Sequence, residues 1–74
     1  MAEYFRHYKG GVYRLLYTAR HSETLEELVV YQAMYGDRAV WVRPKSMFFE
    51  KILKDGALVD RFAAISAEEA LTMV

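Results

Sequence analysis

Asp55-Gly56, set between two apolar-rich runs, constrains this chain more than any other pair of residues. The dipeptide suits a two-residue hairpin loop in which both central residues take positive φ, the turn whose twist matches that of paired strands. Folding the chain about it sets Leu53 opposite Leu58, Ile52 opposite Val59, Lys51 opposite Asp60, Glu50 opposite Arg61 and Phe49 opposite Phe62. Apolar meets apolar and each charge meets its opposite, the pairing that stabilises antiparallel neighbours.

Upstream, Val12 to Arg20 follows the Gly10-Gly11 breaker and is rich in Val, Leu, Tyr and Thr, which marks a strand. For Leu28 to Tyr35 two readings compete. Thr24 with Glu27 satisfies a capping box, and Leu25, Leu28, Val29 and Gln32 could line a helix. Val29-Val30-Tyr31 favours a strand, and Gly36-Asp37 supplies a turn into Val40-Trp41-Val42, so a strand is the expectation. Pro44 cannot donate a ladder hydrogen bond and should end the third strand near Arg43, before a tight turn through Lys45 and Ser46. Ser66 with Glu69 is a second capping box, and Ala67 to Val74 should form a short C-terminal helix.

Side chains alternate along strands with a period of two. Pairing Tyr17 with Tyr31, Tyr13 with Tyr35 and Tyr31 with Arg43 therefore gathers Tyr13, Tyr17, Tyr31, Tyr35, Trp41 and Arg43 on one face. The opposite face collects Val12, Leu16, Leu28, Val30, Met34, Val40 and Val42 and reads as the core. The aromatic face, ringed by Arg43 and Arg20, is the candidate binding surface, of the kind that stacks bases or grips proline-rich peptides. The competing reading is that a small curved sheet covers both faces and that these rings are core, with tyrosine hydroxyls reaching the rim.

The 74 residues should make one domain, 1–74, near the size at which a single core supplies only about 3 to 5 kcal/mol of net stability. Hydrophobic content of 54% against 27% charged residues places the chain among folded globules, away from disordered sequences. Cysteine is absent, which removes disulfides, thiolate metal sites and thiol nucleophiles. The N-terminal stretch lacks the apolar core of a signal peptide, and no apolar run nears the ~18 residues of a membrane span. A soluble, cytoplasmic protein is the expectation.

Ten basic and ten acidic residues cancel, so the overall positive field that drives sequence-independent nucleic-acid binding is missing. Locally, Arg6, His7 and Lys9 cluster at one point, and Glu23, Glu26 and Glu27 at another. His21-Ser22-Glu23 holds the parts of a hydrolase triad, but adjacent residues on a turn do not converge, and no oxyanion-hole motif accompanies them. His7 and His21 with Glu23 lack the local spacing of metal ligands. Lys9-Gly10-Gly11 lacks the spaced glycines of a phosphate-binding loop and more simply permits a bend.

Read together, Tyr8-Lys9-Gly10, Tyr13, Ala19-Arg20-His21-Ser22-Glu23-Thr24, Leu28 to Tyr31 with Gln32, Tyr35-Gly36, and Trp41-Val42-Arg43-Pro44 with Met47-Phe48 resemble a family of small bacterial proteins catalogued only as a domain of unknown function. The resemblance runs from about Tyr8 to Phe62. It implies a compact, mostly β domain, an SH3-like small barrel, occurring as a short stand-alone protein. It implies no activity, and no catalytic or binding residue is carried over from it.

The combined expectation is a mainly β, SH3-like small barrel of about five strands with a short C-terminal helix. Its function is expected to be non-enzymatic recognition of a protein or peptide, with Tyr13, Tyr17, Tyr31, Tyr35, Trp41, Arg43 and Arg20 as binding residues and no catalytic residue, metal or cofactor. RNA or single-stranded DNA binding through the same rings with Arg6, Lys9, Arg14, Arg20 and Arg43 is the alternative. A small enzyme or metal-binding protein comes third. Composition leaves the oligomeric state open.

Overall fold

The Asp55-Gly56 hairpin forms in the expected register. In the computed structural model, which describes residues 2–73, Asp55 and Gly56 both take positive φ, 51° and 80°. They join β5 (Lys51–Lys54) to β6 (Ala57–Asp60), with Lys51 opposite Asp60, Ile52 opposite Val59 and Leu53 opposite Leu58. Just beyond the ladder, Arg61 donates its backbone N–H to the Glu50 carbonyl at 3.1 Å, and its guanidinium bonds the Glu50 carboxylate. The Phe49–Phe62 pair does not form, because Phe62 joins a different sheet.

That sheet holds five antiparallel strands in the order β4-β3-β2-β1-β7. They are β1 (Glu3–His7), β2 (Val12–Arg20), β3 (Glu27–Ala33), β4 (Val40–Pro44) and β7 (Phe62–Ile65). The strand reading of Leu28 to Tyr35 is therefore correct, although β3 stops at Ala33 and Tyr35 lies in the turn that follows. The strands number seven rather than five, since β1 and β7 pair across the length of the chain. Closure into a barrel, expected from the family resemblance, is not found. β4 and β7 end the sheet on opposite edges, and β5 and β6 pair only with each other.

Two registers differ from expectation: the β2–β3 pairing at Tyr13 and Leu15 is displaced by two residues, and one extra residue then shifts it again. Tyr13 faces Ala33 and Leu15 faces Tyr31, but after an irregularity between Leu15 and Tyr17 the next partners are Tyr17 and Val30. Such a bulge sets two residues against one and reverses which side chains share a face. Tyr17 is thereby turned away from Tyr31, onto the outer face, and is 69% exposed. Across the next pair Tyr31 faces Trp41, two residues from the Arg43 partnership that parity alone allowed.

The core is the aromatic face. Phe5, Val29, Tyr31, Phe48 and Phe62 form one buried cluster, with Tyr13 and Leu15 packed against it. The cover comes from α1 (Lys45–Phe48), a single helical turn where only a tight turn was expected. It carries Phe48 over the sheet, fully buried and stacked on Phe62 with ring centroids 4.1 Å apart and planes 5° from parallel. Phe5 and Tyr31 meet Phe48 edge-on at 5.1 and 5.3 Å, the geometry that complements ring quadrupoles. The aliphatic face, expected to be the core, is in part open: Val40 and Val42 are exposed. With no helix or second sheet on it there, apolar residues remain at the surface.

Two local signals place the ends. Ser66 accepts the Glu69 N–H at 3.1 Å while the Glu69 carboxylate reaches back to the Ser66 N–H at 3.4 Å, a closed capping box. It opens α2 (Ala67–Met73), which packs against β1 and buries Ala70. Lys54 donates to the Tyr8 carbonyl at 3.2 Å, tying the projecting hairpin to the β1–β2 turn.

Candidate functional site

The expected binding residues divide into three groups. Tyr31 is 5% exposed and belongs to the core. Tyr13, Tyr35, Trp41 and Arg43 lie around two adjoining depressions that share His7 and Tyr13. Tyr17 faces outward, and Arg20 lines a separate hollow with Leu25, Glu26, Glu27, Lys45 and Ser46. Arg20 lies apart from both of those depressions.

The smaller depression, about 200 Å³, is walled by His7, Tyr13, Tyr31, Trp41, Arg43 and Phe62. Strand geometry accounts for this set. Tyr31 faces Trp41 across β3 and β4, Val29 faces Arg43 two pairs further on, and His7 faces Phe62 across β1 and β7. Arg43 lies with its guanidinium 5.9 Å from the Phe62 ring centre and donates Nε to the Tyr31 hydroxyl at 3.4 Å. A cation–π contact and one bond hold the group beside the ring. Among the described residues no carboxylate pairs with it, in contrast to Arg61 on Glu50, Lys51 on Asp60 and Lys45 on Glu27. Trp41 stands at the edge of the depression, 55% exposed.

The larger depression, about 450 Å³, continues past His7 and Tyr13 to Lys9, Gly10, Gly11, Val12, Tyr35 and Met73. The hydroxyls of Tyr13 and Tyr35 meet here at 2.5 Å. Gly11 permits their approach, because a Cβ on it would sit 3.0 Å from the Tyr35 ring and 3.1 Å from that of Tyr13. Burial, and then the bond from Tyr35, push the Tyr13 phenol up to about 12.

His7 joins the two depressions and was not among the expected binding residues. Its Nδ1 accepts the Lys9 N–H at 3.2 Å, so the neutral imidazole carries its proton on Nε2. Burial, followed by the charges of Arg43, Arg61 and Lys9, lowers its pKa from the usual 6.5. Three cations thus converge on one neutral ring. The signal available in the sequence was parity: His7 falls two residues after Phe5 on what is now β1, but β1 was not read as a strand.

The other chemical candidates do not assemble. His21 Nδ1 accepts the backbone N–H groups of Glu23 and Thr24 at 3.1 and 3.3 Å, a loop-ordering role that occupies the nitrogen through which a triad's carboxylate would orient the ring. Glu27 faces Arg20 rather than His21 and bonds Lys45 at 3.4 Å. Among the described residues no three His, Asp or Glu side chains group as metal ligands, and no helix is long and apolar enough to cross a membrane.

Comparison with known proteins decides the family. The sequence matches the family described as Protein of unknown function (DUF1653) over residues 3–64, most of the chain. The chain belongs to DUF1653. A crystal structure of a DUF1653 protein from Bordetella bronchiseptica is similar, with 31% sequence identity and a TM-score of 0.79 over 89% of this chain and 87% of that one. No curated protein matches the sequence. The DUF1653 region takes in every residue lining the smaller depression, from His7 to Phe62, whereas α2 lies beyond it.

Proposed function

We propose that this DUF1653 protein is a non-enzymatic recognition module of the bacterial cytoplasm that binds a carboxylate-bearing segment of another protein or a peptide. One observation carries the reading: the Arg43 guanidinium lies over Phe62 and bonds the Tyr31 hydroxyl through Nε, without a carboxylate partner among the described residues, beside the half-exposed Trp41. A planar guanidinium with free terminal nitrogens matches a carboxylate in bidentate fashion, and a neighbouring indole supplies apolar contact. The pKa of His7, lowered first by burial, is lowered further by the charge of Arg43. Nucleic-acid binding is the weaker reading, because the basic residues it would use are divided. Arg6 and Arg14 alternate with Phe5 and Tyr13 and so point to the outer face, away from Arg43.

The test is recovery of partners from a bacterial lysate, with and without nuclease, by the native protein and by Arg43→Ala. The expected result is nuclease-resistant capture that Arg43→Ala loses while keeping its circular dichroism. Full retention of partners by folded Arg43→Ala overturns the reading. Capture abolished by nuclease, with affinity falling steeply as salt rises, transfers it to nucleic acid.

A further inference from the structure

The free edge of β4 is self-complementary, and we infer that it pairs antiparallel with β4 of a second copy about a two-fold axis at Val42. Ala33 donates its N–H to the Ala39 carbonyl at 3.0 Å, and the ladder continues with Gln32 opposite Val40 and Tyr31 opposite Trp41. Hydrogen-bonded and non-bonded pairs alternate along such a ladder. Trp41 and Arg43 therefore spend their backbone groups on β3, while Val40 and Val42 direct theirs outward. Pro44 falls in the outward set, where its missing N–H costs the β3 ladder nothing.

Centring the axis on Val42 matches donors to acceptors. The Val42 N–H and carbonyl bond their own counterparts, and Val40 N–H reaches the Pro44 carbonyl of the second copy. The same register sets Trp41 against Arg43 of the second copy as a close, non-bonded pair, the spacing at which cation and indole attract. On the outer face, Tyr17 lies opposite Val30 and Val30 opposite Val42, a row whose ends are 69% and 58% exposed. The axis continues that row into its copy, covering apolar surface that this chain leaves open. An unrelated extended peptide would satisfy the backbone but has no reason to meet Trp41 with a cation and Val42 with an apolar residue. The axis places Trp41 and Arg43, which also line the smaller depression, at the seam, but the inference rests on the open backbone edge of β4 and not on what that depression binds.

Sedimentation over a concentration series up to about 1 mM, which spans weak association, reads the outcome in the full chain. The native protein is expected to shift to twice its monomer mass, with the Val42 amide exchanging more slowly as concentration rises. Val42→Lys places like charges across the axis, and Val42→Pro deletes both central bonds without touching β3. Each should stay monomeric with unchanged circular dichroism. The amide measurement needs no variant and stands if either fails to fold. A native protein monomeric throughout, a Val42 amide whose exchange ignores concentration, or a dimer that survives both substitutions overturns the inference.

Discussion

Tyr13 and Tyr35 share a hydroxyl-to-hydroxyl hydrogen bond of 2.5 Å that spans the β1–β2 turn above Gly11. The bond holds a proton on Tyr13, whose environment already disfavours the phenolate through burial. Replacing Tyr35 by Phe should bring the Tyr13 pKa down from about 12 toward 10, read from tyrosinate absorbance in an alkaline titration. The folded value lies above the unfolded one, so the stability this group contributes is whole below pH 10 and is lost as pH rises through about 12. In Tyr35→Phe that alkaline loss should be smaller and complete at lower pH.

His7 makes the opposite prediction at acid pH. Its folded pKa lies below the ordinary 6.5, so its contribution is present above that pH and disappears as pH falls through the folded value. Arg43→Ala removes the largest of the charge causes and should move the His7 titration upward, measured by NMR from its ring proton shifts. An unchanged midpoint would show that Arg43 does not contribute to it.

Phe48→Ala should leave little folded protein. The ring is fully buried and stacked on Phe62, and truncating such a residue costs about 3 to 5 kcal/mol, the whole net stability expected of a domain this small. Thermal melts followed by circular dichroism measure it. A loss below about 1 kcal/mol would show that α1 is not the lid of the core.

The two ion pairs of the β5–β6 hairpin should differ. Lys51 and Asp60 are 3.7 Å apart and both largely exposed, so Lys51→Ala should change stability by less than about 1 kcal/mol. Arg61 is only 20% exposed, and its Nε is buried without a partner. Glu50→Ala strands that guanidinium and should cost about 1 to 2 kcal/mol, between the values for exposed and buried pairs. Chemical denaturation of the two variants side by side separates them.

Trp41→Ala should be tolerated, because the indole is half exposed at the edge of its depression rather than packed in the core. A melting midpoint within a few degrees of the native value, a loss of under about 1 kcal/mol, is the expected result. Trp41 can then serve with Arg43 as a probe of binding. It is also the one tryptophan of the chain, so its fluorescence reports on the edge of that depression.

The sequence by itself determined the features whose physics is local. Asp55-Gly56 sets the β5–β6 register because positive φ at both turn residues and the facing pairs Leu53–Leu58 and Lys51–Asp60 lie within a few residues of one another. Ser66 and Glu69 start α2 through bonds inside one turn, and Pro44 closes β4 and stands as the N-cap residue of α1. Tertiary structure alone decided which face became the core. Parity grouped Tyr13, Tyr31, Trp41 and Arg43 correctly, but the bulge after Leu15 removed Tyr17 from the group. Period two carries information only until a residue is inserted. Phe48 arrives from α1, and β1 meets β7 from the far end of the chain, so the aromatic side is covered while Val40 and Val42 stay open. Apolar residues on both faces gave each an equal claim to burial; the long-range contacts that chose between them have no local signature.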